Sequence, residues 1–120
     1  MVTKINLADK LSRFSEHWSP RVVTELNDNH VLLAKVQGEF IWHQHAEEDE
    51  MFLVLKGELT IELRDGAVTL GPGEMVVIPR GTEHRPIAAE EVHLMLVEPK
   101  VTRHTGDVES ERTVHQYARV

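Results

Sequence analysis

The chain has 120 residues, enough for one domain with its own core and too few for a second. Thirteen Lys and Arg stand against twenty Asp and Glu, a formal net charge of -7, and no basic stripe offers a nucleic-acid backbone or an anionic membrane the counter-charge it needs. There is no cysteine, which removes disulfides, thiolate metal sites and cysteine nucleophiles and leaves His and carboxylate as metal ligands.

The N-terminus carries no apolar leader and no run of about 18 apolar residues occurs, so a soluble, cytoplasmic protein is expected. Leu7, Leu11, Phe14 and Trp18 form a stripe at helical spacing. It predicts a short amphipathic helix over roughly 7–16, with Asn6 as N-cap and Pro20 closing the segment. Residues 1–20 are read as a helical arm packed on the main body.

From Val22 to Val97 the period changes. VVTEL, HVLLAKV, EFIWHQH, MFLVL, ELTIEL, AVTL, MVVIP and VHLMLV are short runs rich in β-branched and apolar residues, separated by turn residues such as Asp65-Gly66. With no helical stretch between them, they predict an all-β sandwich or barrel over 21–99. Residues 100–120 are read as a C-terminal extension, loosely attached or wrapping a partner. In ELTIEL, Leu59, Ile61 and Leu63 alternate with polar residues. In MFLVL both faces are apolar, and Phe40 and Trp42 are expected to point away from the histidines of their strand. The apolar outer faces call for a cover, and a homodimer is expected.

Eight histidines are present. His43 and His45, two apart in an expected strand, emerge on one face roughly 6.5–7 Å apart along the backbone. Glu50 returns to that face if residues 46–49 bend, and His84 arrives from the turn PRGTEH. One strand histidine alone is ordinarily a hydrogen-bonded core or surface residue. The four together make a three-His, one-Glu shell for one divalent transition metal, Fe, Mn, Zn, Ni or Co. On an octahedral ion such a shell leaves two positions for water, dioxygen or a bidentate substrate.

The segment GEFIWHQHAEEDEMFLVLKG resembles the first motif of the cupin family, with Gly38, His43, His45, Glu50 and Gly57 in place. GEMVVIPRGTEHRPIA resembles the second, with Gly73, Pro79, Gly81 and His84. Four residues separate Gly38 from His43 where the family usually has five, and Ala88 replaces an asparagine that is not normally a ligand. The resemblance implies a small jelly-roll barrel, commonly dimeric, with metal held by His43, His45, Glu50 and His84. Small cupins of this kind also resemble the cupin part of mannose-6-phosphate isomerases. A sugar phosphate would want clustered cations, however, and Lys56, Arg64, Arg80 and Arg85 show no common inward alternation.

Glu47, Glu48 and Asp49 read as a solvated bend, with Glu48 or Asp49 able to replace Glu50 if the bend differs. His93 and His30 can face the barrel or solvent, and His17, His104 and His115 are expected on the surface. The expected cavity lining is mostly aliphatic: Ile41, Phe52, Val54, Leu59, Ile61 and Leu63. It suits a small ligand offering two oxygens to the metal, acted on by a dioxygenase or an isomerase. The rival expectation is a non-catalytic metal- or ligand-binding module.

Overall fold

The computed structural model describes residues 2–102, 105–106 and 116–120. His104 and His115 lie outside the described residues. The only helix among them, α1, is Leu7–Leu11. Asn6 caps it, its Oδ1 accepting from the Asp9 N–H at 3.0 Å. It ends earlier than its apolar stripe predicts, because the Ser12 hydroxyl donates to the Asp9 carbonyl at 2.6 Å and turns the chain. Phe14 and Trp18 are buried beyond the helix rather than on it. Phe14 lies under the Arg21 and Lys35 cations, and Trp18 adopts a left-handed backbone with φ 58°.

Eight strands follow: β1 Arg21–Leu26, β2 Asn29–Glu39, β3 Glu50–Lys56, β4 Leu59–Leu63, β5 Gly66–Leu70, β6 Met75–Ile78, β7 His84–Pro99 and β8 Ala118–Arg119. The order is β5-β4-β7-β2-β1-β8, with β3 joining β6 to β7. The 16-residue β7 organises the jelly roll: its first part pairs with β4 and its second with β3, while β2 runs antiparallel along both. Apart from exposed Glu90, every even-numbered residue of β7, from His84 to Glu98, is buried. Leu32, Leu59, Ile61 and Val54 are fully enclosed in the core. Each such side chain contributes about 1.5–3 kcal/mol by leaving water.

Two sequence expectations are corrected here. The run EFIWHQH is not a strand: β2 stops at Glu39, just after Gly38 at φ 90° and a register shift, and only His43 keeps a bridge, to His84. Conversely, residues 84–91 are strand despite Pro86. The described part of the C-terminal segment is attached: β8 pairs parallel to β1, and Thr102 and Thr105 are buried. No helix among the described residues is long and apolar enough to cross a membrane.

Candidate metal centre

Backbone contacts stitch the two motif segments together. His43 and His84 exchange N–H···O=C bonds of 3.1 and 2.9 Å, the Gly81 N–H donates to the His45 carbonyl at 2.8 Å, and the Arg80 N–H donates to Asp49 Oδ1 at 2.9 Å. Gly81 reaches that position at φ 78°, a conformation that favours glycine. Glu50 opens β3 on the same inward face as Phe52 and Val54.

The result brings all four expected residues together. His43, His45, Glu50 and His84 are buried, and one ligand-type atom from each lies within 4.8 Å of the others. Nε2 of His45 and of His84 stand 3.3 and 3.4 Å from Glu50 Oε1. Two ligands each about 2.1 Å from a shared ion are separated by roughly 3.0–3.4 Å. The Nδ1–H groups of His43 and His84 donate to the carbonyls of Ile41 and Thr82, both at 2.9 Å. A carbonyl can only accept, so these bonds fix the tautomer and leave each Nε2 with its lone pair toward the cluster. Nε2 of His43, Nε2 of His84 and Glu50 Oε1 are buried without a hydrogen bond. Buried polar atoms are normally satisfied, and a cation among them would satisfy all three at once. The donor set fits a divalent transition metal.

Burial, then the neighbouring His84, lowers the His43 pKa to about 4, so the ring is neutral at physiological pH, as ligation requires. Burial would raise Glu50, but the His45 and His84 imidazoles close beside it outweigh that and hold it well below the usual carboxylate range. The sequence reading missed Glu98, which is 3% exposed. Burial and the adjacent Glu50 charge push its pKa well up, favouring the protonated acid. Its parity with Leu94 and Leu96 was the available signal.

A cavity of about 40 Å³ borders the cluster at His43 and Glu50. Of the expected lining, Phe52 is there; the remaining wall includes Trp18, Pro20, Val36, Phe40, Pro86, Leu94 and Leu96. Val54, Leu59 and Ile61 belong to the closed core, and Ile41 and Leu63 pack on it half-buried. Phe40 does not point away from the histidines: its ring stands edge-on to His43, with centroids 5.4 Å apart. The chain has left the strand there, so alternation no longer governs it. Trp42 is half-buried beneath Arg64, whose guanidinium lies 3.8 Å from the ring centroid.

The other candidates fall outside the cluster. Asp49 binds Arg80, Glu47 is exposed, Glu48 and His30 are half-buried, and His93 and His17 both contact Glu91, at 2.9 and 2.7 Å.

A cupin-domain profile matches residues 29–99, more than half of the chain. The chain is a cupin. A solved structure of a cupin-2 domain protein from Shewanella frigidimarina is 54% identical to it, with a TM-score of 0.79, covering 80% of this cupin and 94% of that chain. The uncharacterized protein YdbB of Bacillus subtilis is 44% identical over 64 residues, 52% of this chain and 57% of that protein. A Saccharolobus solfataricus protein provisionally named a dioxygenase is 29% identical over 94 residues, 76% of this cupin and 24% of that protein. The matches to these two curated relatives thus span little over half of one and a quarter of the other.

Proposed function

We propose that this cupin is a metal-dependent enzyme of the dioxygenase type, with His43, His45, Glu50 and His84 as ligands and a small oxygen-chelating organic molecule as substrate. The observation that carries the reading is the set of buried, unsatisfied Nε2 and Oε1 atoms facing one another beside a cavity. A bound divalent metal supplies Lewis acidity and, as iron or manganese, the redox chemistry that dioxygen needs.

The protein's own part is positional. His43 and His84 present Nε2 because their Nδ1–H groups are engaged, the Glu50 carboxylate would offset part of a 2+ charge, and Phe40, Phe52, Leu94 and Leu96 give the cavity an apolar wall. An isomerase would need a free base beside the substrate carbon. Among the described residues bordering the cavity, the titratable groups are His43 and Glu50, both ligands in this reading, and no Lys or Arg lines it. That favours oxygen chemistry over isomerisation and over sugar phosphates. The similarity to the provisionally named dioxygenase supports the same direction.

The small cavity favours one second reading, a non-catalytic metal-holding module. Oxygen uptake by Fe(II)-loaded protein, measured across short-chain enediols and 1,3-diketones, separates the two. Uptake that depends on His45 supports the enzyme; tight zinc with no turnover supports the module.

We also propose a homodimer through the outer face of β6, β3 and β7. Met75 and Val77 are 53% and 50% exposed on β6, an edge strand among the described residues. They pair in register with Leu53 and Met51, which continue to Met95 and Val97 on β7. An apolar open edge of this kind invites a second copy. Sedimentation of wild type and Val77→Asp tests it: a dimer that the substitution converts to monomer is expected, and a wild-type monomer contradicts it.

A further inference from the structure

Trp18 comes from the N-terminal arm, outside the residues that match the family profile, yet it borders the same cavity as His43 and Glu50. Its indole stacks on Phe40 with centroids 4.6 Å apart and 17° between the planes, and Phe40 in turn stands edge-on to His43. The contact runs from the arm to a candidate ligand through one aromatic ring.

The arm is held in place at this point. The Trp18 N–H donates to the Lys35 carbonyl and its Nε1–H to the Gln37 carbonyl, both at 2.9 Å. The adjacent His17 meets Glu91 on β7. Trp18 also sits at φ 58°, a left-handed conformation that bulky L-residues rarely adopt. Strain of this sort persists where the surroundings impose it, and it gathers at functional sites.

A single water needs roughly 10–15 Å³ of such space, and organic ligands usually occupy about 300–1,000 Å³. The cavity of about 40 Å³ therefore leaves room for a group of a few heavy atoms beside the cluster, with the Trp18 and Phe40 rings as part of its wall. We propose that Trp18 is the specificity-determining wall of the metal centre, restricting its ligands to short-chain, oxygen-chelating molecules with a small apolar end. This rests on the metal reading above.

The test uses full-length wild type, Trp18→Ala, Trp18→Leu and Trp18→Phe, each loaded with Co(II) and checked for cobalt by elemental analysis. Acetohydroxamate and benzohydroxamate, which share one chelating head, are titrated while the cobalt visible spectrum is followed. Wild type is expected to bind the acetyl compound at least tenfold more tightly. Trp18→Ala and Trp18→Leu are expected to lose that preference at unchanged cobalt content, with Trp18→Phe intermediate. If Trp18→Ala does not fold, the Leu and Phe variants carry the comparison. Equal preference in wild type and variants at full cobalt loading overturns the proposal alone. Wild type that takes up no cobalt overturns the metal reading and the proposal with it.

Discussion

His43 and His84 are joined by a reciprocal pair of backbone hydrogen bonds, and their rings lie with centroids 4.3 Å apart. Two candidate ligands 41 positions apart in sequence are thus fixed by main chain as well as by side-chain packing. The neighbouring Gly81 N–H, donating to His45, extends that stitch.

Gly81→Ala therefore acts on the centre through the backbone. No atom obstructs a Cβ there, so its cost is the positive φ, about 1–2 kcal/mol. Gly73→Ala at φ 81° carries the same strain in the turn before β6. Both variants should melt a few degrees low, and Gly81→Ala alone should also weaken metal binding, read by competition with a chelator. Equal metal affinity in the two would contradict the stitch.

The metal-free protein should lose stability in acid. The His43 pKa falls from 6.5 to about 4 on folding, so between those values the unfolded chain binds the extra proton. That contribution is complete above pH 6.5 and is lost as pH falls toward 4, on the order of 3 kcal/mol. Glu50, depressed below 4.5, adds a loss of the same sign at lower pH. Urea midpoints for wild type and His43→Asn between pH 7 and 4 should converge as the pH drops.

Glu98 has the opposite sign. Its folded pKa lies above the unfolded 4.5, so its contribution is present below that value and is lost as pH rises. Glu98→Gln keeps a donor toward Glu50 without the buried acid. Its gain in melting temperature over wild type should grow from pH 5 to pH 8; a uniform loss across that range would contradict the assignment.

Gly106 touches the centre from the C-terminal segment. Gly106 sits at φ 61°, and a Cβ there would collide with the Gln44 carbonyl oxygen and lie 3.4 Å from the His43 ring. Gly106→Ala must shift one of the two segments. Reduced metal affinity with the β-sheet circular dichroism signal retained is the expected result.

The candidate ligands were legible because they lie in two short segments with local signals, a His-x-His followed by a bend and a Pro-x-Gly turn that brings His84 back, and the pair converges even though the strand expected to align it is absent. The cavity was less so. Alternation predicts a side chain's direction only where strand pairing persists, and it lapses after Glu39, so Phe40 turned inward against expectation. The first part of β7 was hidden because Pro86 and the Ala-Ala-Glu-Glu run at 88–91 have weak strand propensity. Trp18 read as a helix-face residue, whereas the chain leaves the helix at Ser12 and places it in the cavity wall. Glu98 had the parity of a core residue and the chemistry of a surface one.

Metal content bears most directly on the central claim. Protein produced without added metal, reconstituted with one divalent ion and freed of excess, should hold about one ion per chain by elemental analysis. His45→Ala should hold almost none while keeping its β-sheet circular dichroism. A wild-type protein with no bound metal, or a folded His45→Ala variant that keeps a full equivalent, would contradict the account.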